Sequence, residues 1–267
     1  MTLSTLYMAV MSPDPVTVLD WFYVPHDFFE EHTELVLADG AISISGGTAR
    51  GQFDGSRYAE GRAFRDRVHD ELMHFFLAQQ IMVAKPFTLS AASLARLHSD
   101  GRRDLTMLAE PGRYLTSGAA VDSIRTNAQG TVVQDTKAER LQSQQQFRDK
   151  ALQLCATDHV MRRLLQMFNN AFNDPENRFI HLYEIRDCLV NELNGDALVK
   201  IKLGISRTDW SRFGKLANED PLTEGRHRGN HLTLQNASAD EIIFATGFAR
   251  KLIERYVQYK ITSRTET

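Results

Sequence analysis

One short segment, Leu222-Thr223-Glu224-Gly225-Arg226-His227-Arg228-Gly229-Asn230-His231, gathers two arginines and two histidines. An arginine presents a fixed fork of N–H donors that matches phosphate oxygens. A histidine exchanges a proton near neutral pH. A phosphodiester attacked by its own 2′-hydroxyl needs both types: a base for the hydroxyl proton, an acid for the leaving oxygen, and positive charge at the phosphorane. Arg226, His227 and His231 are the candidate catalytic groups, and Arg228 and Asn230 the candidate phosphate ligands. The scheme needs no metal and no cofactor. The same composition also suits a solvated turn, for which Gly225 and Gly229 are ordinary residues. Both readings stay open at this stage.

Other patterns point less directly to chemistry. His69 and His74 flank an Asp-Glu pair, but they stand five residues apart. That spacing sets them about 140° apart around a helix, whereas a zincin needs histidines four apart on one face. Gly46-Gly47-Thr48-Ala49-Arg50-Gly51 lacks the Lys-Ser/Thr of a phosphate-binding loop and reads as a hairpin turn. Cys155 and His159 share a helical spacing with no visible activating partner, so Cys155 reads as a buried thiol. Glu184, Arg186 and Asp187 form a charged stretch that equally suits a solvated helix face.

The elements that must carry these residues follow from periodicity. The chain has 267 residues, 42% of them hydrophobic and 24% charged, enough for a core and for two domains. A net charge of -3 excludes a chain that is basic throughout, but not a local basic patch. Two cysteines are too few for a disulfide scaffold and suit a reducing cytoplasm. No basic leader precedes an apolar run, and no stretch reaches the ~20 apolar residues of a membrane helix. The expectation is a soluble cytoplasmic protein with no membrane partner.

Residues 1–137 read as a mixed strand and helix domain of α+β type. Leu6–Met11 and Val16–Val24 are strand-like. Leu35 to Ser45 reads as a hairpin turning at Asp39-Gly40, with Asp-Gly supplying the positive φ of a type I′ turn. Residues 61–84 change to helical period, with Phe64, Val68, Leu72, Phe75 or Phe76, and Gln79 on one face. Strand, turn at Ser99-Asp100-Gly101-Arg102, and strand follow, with Ala91 to Leu97 also open to a helix. Residues 138–146 are a linker or the start of a helix. From 147 to 262 the pattern is helical, apart from a mostly turn-like stretch from Glu219 to Ala237. Phe147, Ala151, Leu154, Cys155, Val160, Leu164, Leu165, Phe168 and Phe172 make one long apolar stripe, broken at Asn173-Asp174-Pro175. A second helix runs to Asn194-Gly195 and a short one covers 197–203. Another opens at Ser206 or Thr208, and a last one opens on the Ser238/Glu241 capping box and runs to Tyr259. Residues 263–267 read as a polar tail.

Arg226, four intervening residues and His231 resemble the Arg-x4-6-His signature of the HEPN superfamily, whose domains are small helical bundles. A polar residue often follows the arginine in that family, and His227 stands there. The order of elements is similar too: two long helices, shorter ones, the motif, then a closing amphipathic helix. The resemblance covers residues 147–262 only; the N-terminal domain resembles no family in its motifs. It implies an all-α HEPN-like bundle that pairs as a homodimer, two motifs meeting in one metal-independent ribonuclease site acting on RNA. Toxins and antiviral effectors are the implied class, with the N-terminal domain as regulator. By the resemblance, Arg226 orients and neutralises the scissile phosphate, His231 acts as general acid or base, and Glu184, facing inward from the second helix, positions them. The motif departs from the family in one respect: Gly225 and Gly229 bracket it, and glycine costs about 1 kcal/mol in a helix interior, so a loop is expected where the family has a helix start. Some members of the superfamily have lost activity and only bind. A non-catalytic module that recognises a protein or nucleic acid is therefore the alternative.

Overall fold

The computed structural model describes residues 15–106, 122–126, 132–230 and 232–265. An antiparallel sheet region comes first and a helical region follows. The chain divides into two compact units, Met1–Met73 with Phe87–Gly118, and His74–Pro86 with Ala119–Thr267.

In the first unit, β1 (Val16–Val24), β2 (Thr33–Leu37), β3 (Gly40–Ser45), β4 (Thr48–Asp54), β5 (Thr88–Leu89), β6 (Ser93–Leu97) and β7 (Arg103–Thr106) form a sheet in the order β2-β3-β4-β1-β6-β7, with β5 also paired to β1. The central place of β1 follows from its sequence: β-branched and aromatic residues on both faces suit a strand with neighbours on either side. On one face Trp21 lies opposite Ala49, and Ala49 opposite Ile44, all fully buried. The first turns of α1 (Gly61–Val83) cover this face. Phe64 meets Phe53 edge-on at 5.0 Å between ring centroids, and the Trp21 indole N–H donates to His69 Nδ1 at 3.1 Å. That bond occupies the histidine nitrogen a metal would need. The strand expected over Leu6–Met11 lies outside the described residues.

The β2–β3 hairpin forms where expected, but its turn differs. Leu37 pairs with Gly40, which puts Ala38 and Asp39 at the turn and Gly40 in the strand. Glycine is needed there for space, because a Cβ would stand 2.6 Å from the Phe53 ring and 2.7 Å from the Gln52 carbonyl. The two positive φ angles of the tight turn occur one hairpin later, at Gly46 (55°) and Gly47 (87°), between Ser45 and Thr48.

Among the described residues the second unit holds the last turns of α1, a hairpin of β8 (Ile124–Thr126) and β9 (Val132–Asp135), and the α-helices α2 (Thr136–Cys155), α3 (His159–Asn173), α4 (Arg178–Glu192), α5 (Asp196–Leu203), α6 (Arg207–Asn218) and α7 (Ala239–Thr265). Residues 138–146 are thus early turns of α2, and 263–265 the last turn of α7. The apolar stripe from Phe147 to Phe172 is two helices, not one. Thr157 and Asp158 interrupt it, and Asp158 caps α3 by accepting the Met161 N–H at 3.1 Å. A 3-10 turn, Pro175–Asn177, joins α3 to α4, which pack closely together. The expected caps of α6 and α7 form: Ser206 Oγ accepts the Asp209 N–H, and Ser238 and Glu241 make a reciprocal box.

α7 is the hub of this unit. It packs against each of α2 to α6, and buries Ala245, Phe248, Ala249, Leu252, Ile253, Tyr256 and Val257. The α1 end is held to α2 by a buried polar chain, Arg148 to Gln79 (2.7 Å) and Gln79 to Gln144 (3.1 Å). Among the described residues no helix is long and apolar enough to cross a membrane.

Candidate functional site

The site begins on α4, which buries Phe179, Leu182, Tyr183, Ile185, Cys188 and Leu189 and leaves charged residues at its margin. Tyr183 lies nearly parallel to Phe213 of α6, with rings 6.4 Å apart and inclined by 14°. The Arg186 guanidinium sits 4.5 Å from the Trp210 ring centroid and 5.1 Å from that of Tyr183. It donates to the Tyr183 hydroxyl at 2.9 Å and to Asp196 at 3.2 Å. Gly214 makes this placement possible, since a Cβ there would stand 2.8 Å from an Arg186 nitrogen. Asp196 also accepts the Trp210 indole N–H at 2.7 Å. Burial alone would raise the Asp196 carboxyl, but the indole N–H and the Arg186 and Lys200 cations hold it below the usual carboxylate range.

The segment carrying Arg226 is laid on this platform and pinned at its base. Leu222 is fully buried, Thr223 N–H donates to the Gln235 carbonyl (3.0 Å), and Gln235 N–H donates to that of Pro221 (2.9 Å). Glu224 Oε2 accepts from the Thr223 hydroxyl at 2.8 Å and from the Ala237 N–H at 3.2 Å. The Arg226 N–H reaches the Ala217 carbonyl at the end of α6, 3.1 Å away. Its guanidinium lies 5.0 Å from the Tyr183 centroid and donates to Asp187 Oδ2 at 2.8 Å. Both side chains of that ion pair are 42% exposed. An exposed pair contributes only about 0.2–1 kcal/mol, so Arg226 is oriented without being sequestered. A single 3-10 turn, Arg228–Asn230, follows, and His227, Gly229 and Asn230 are exposed. The expected loop is present. His231 and the side chain of Arg228 lie outside the described residues.

Glu184 does not face inward. It is exposed, and its carboxylate is 3.5 Å from His181 Nδ1. Inward positions of α4 are filled by the apolar face, and Glu184 stands one turn before Asp187 at the helix margin. The acid that meets Arg226 is Asp187, which sequence reasoning placed among solvated charges, and the aromatic surface is the buried Tyr183. Their spacing, Tyr183 and Asp187 four apart on one helix face, was the available signal.

The remaining candidates are structural. Cys155 is buried, and burial pushes its thiol up to about 12, far from a reactive thiolate. Among the described residues no group of three or more His, Cys, Asp or Glu could hold a metal ion. Comparison of the chain with protein-family models, with curated proteins and with solved structures gave no match.

Proposed function

We propose that the helical unit is a metal-independent endoribonuclease of HEPN type, a cytoplasmic effector whose N-terminal domain regulates it and whose helical domain pairs two copies. The observation that carries this reading is the setting of Arg226: a guanidinium held on an aromatic ring and aimed by a carboxylate, on a pinned loop that leaves His227 and Asn230 open to solvent. A phosphate oxygen exchanges readily with Asp187 at an exposed pair. In this scheme Arg226, Arg228 and Asn230 hold the scissile phosphate. One of His231 and His227 removes the 2′-hydroxyl proton as that oxygen bonds to phosphorus. The other protonates the departing 5′-oxygen, leaving a 2′,3′-cyclic phosphate and a 5′-hydroxyl. Asp187 takes the positioning role first assigned to Glu184.

The test is incubation of wild type and His231→Ala with a mixed single-stranded RNA pool in EDTA. Cleavage by wild type, reduced by about a hundredfold or more in the variant, is the expected result. RNA left intact by wild type overturns the nuclease reading. The Arg226–Asp187 pair also suits the non-catalytic alternative, because a carboxylate already occupies the guanidinium that the phosphate would need. In that case RNA or a partner protein binds, and Arg226→Ala weakens binding without any cleavage to lose.

A further inference from the structure

The Arg186 guanidinium is fixed from several sides at once, and its side chain is 16% exposed. One terminal nitrogen, Nη1, donates to the Tyr183 hydroxyl at 2.9 Å, and the other, Nη2, to Asp196 Oδ1 at 3.2 Å. Asp196 accepts the Trp210 indole N–H on its other oxygen, Oδ2, and the Trp210 ring is the surface on which the guanidinium lies. Arg186, Asp196 and Trp210 thereby close a ring of contacts drawn from α4, α5 and α6. We propose that Arg186 is a positioning residue for Arg226 and acts on it through Tyr183. The inference rests on the reading above, in which Arg226 is the working cation of the loop, and adds the residue that sets its direction.

The ion pair of Arg226 with Asp187 is exposed on both sides and therefore weak. The direction of its fork depends on the surface beneath it, the Tyr183 ring 5.0 Å away. That ring is held twice: Phe213 lies nearly parallel to it, and Arg186 holds its hydroxyl. Arg186 follows Tyr183 by three residues on α4 and Asp187 follows it by four, so little more than one helical turn carries the ring, the residue that holds it and the acid that meets Arg226. A planar fork that bridges two acceptors at a fixed angle transmits position, which a single ammonium on a flexible stem does not. Small displacements of a group that must meet a reacting phosphate lower the rate without removing any contact type. Gly214 shows how closely the bridge is fitted: a Cβ there would stand 2.8 Å from Nη1, the nitrogen that holds the Tyr183 hydroxyl.

The experiment is a nitrogen–proton correlation spectrum of the arginine Nε–H groups in the full chain, with RNA cleavage and the urea midpoint measured on the same samples. The Arg226 signal is the one lost in Arg226→Ala, and the Tyr183 ring current displaces it from the position of a free arginine. Arg186→Lys keeps the charge and loses the bridge. Gly214→Ala keeps every charge and pushes Nη1 aside, while alanine favours the α6 helix. Both variants are expected to move the Arg226 signal toward the free position, and to lower kcat about fivefold with KM within about twofold of wild type. Arg186→Lys added to Arg226→Ala is expected to lower cleavage no further, because the residue it positions is gone. An Arg226 signal unmoved in both variants overturns the proposal and leaves Arg186 a tie between helices, as does an equal fractional loss of kcat with and without Arg226. Should one variant fail to fold, the other decides. RNA left intact by wild type removes the nuclease reading, and the spectrum then decides the positioning role by itself; RNA cleavage with an unmoved signal keeps the nuclease and removes that role.

Discussion

At two places in the helical unit a carboxylate, a cation and a tyrosine meet in arrangements built to opposite ends. At one, Asp158 caps α3, accepts the Tyr256 hydroxyl at 2.9 Å and stands 3.3 Å from Lys260, which also meets Glu192 at 2.6 Å. Every charge there faces a partner from another helix, and Asp158 is buried. Burial and the neighbouring carboxylates push the Tyr256 hydroxyl well above its ordinary range, so it stays a neutral donor. At the other, Arg226 rests on Tyr183 and pairs with Asp187, but both charges remain half in water and the next residues are exposed. The first arrangement holds three helices together. The second holds one loop in place and leaves its donors exchangeable. Residue type does not distinguish the closed cluster from the open one; the number of internal partners and the exposure do.

The widest separation between the two is expected from Asp158→Ala. It removes a helix cap and leaves the Tyr256 hydroxyl and the Lys260 cation short of a partner. The loss should be about 2–4 kcal/mol, read from the urea midpoint, with nucleotide binding by the folded fraction unchanged. Next is Arg226→Lys, which keeps the charge and loses the planar fork. A fall of about tenfold in RNA cleavage with an unchanged urea midpoint is expected, corresponding to about 1.4 kcal/mol. A fall in stability instead would make Arg226 a structural residue like Asp158.

Acid should act on the closed cluster. Burial works to raise the Asp158 carboxyl, but the Met161 N–H, the Tyr256 hydroxyl and Lys260 outweigh it and hold the group below its ordinary value. A depressed carboxyl contributes stability that is present above its unfolded value, about 3.9, and is lost as pH falls through the folded value. The urea midpoint of wild type should therefore drop more steeply below about pH 4 than that of Asp158→Asn. Parallel pH profiles would show that Asp158 does not carry the acid sensitivity. The smallest effect is expected from Asp187→Asn, under about 1 kcal/mol in stability because the pair is exposed. Its cleavage loss should be smaller than that of Arg226→Ala, since a carboxamide still accepts from the guanidinium.

What was legible in the sequence was local. The α1 stripe from Phe64 to Gln79, the Ser206 cap, the Ser238/Glu241 box and the turn between β6 and β7 rest on neighbours a few residues away, and the structure has them. What depended on distant partners was not. The stripe from Phe147 to Phe172 keeps its apolar residues in step across Thr157-Asp158, so periodicity alone hid the break; Asp158 earns its cap position with help from Tyr256 and Lys260 about a hundred residues later. Gly40 and Gly46-Gly47 offered two hairpin turns, and the Phe53 ring, a cross-strand neighbour, decides that only the second uses glycine for its φ. The Arg226 segment was legible by composition. Its partners were not, because Glu184 and Asp187 stand three residues apart on α4 with similar exposure, 48% and 42%, and only the place where the distant loop lands decides which of them meets Arg226. The division of the chain within α1, between Met73 and His74, has no mark in composition at all.

The most direct measurement is RNA cleavage in EDTA by wild type, Arg226→Ala and Asp158→Asn, each with its urea midpoint taken in the same buffer. The expected result is cleavage lost in Arg226→Ala at an unchanged midpoint, and cleavage kept in Asp158→Asn at a lowered one. Wild-type cleavage by Arg226→Ala would contradict the assignment of function to this loop.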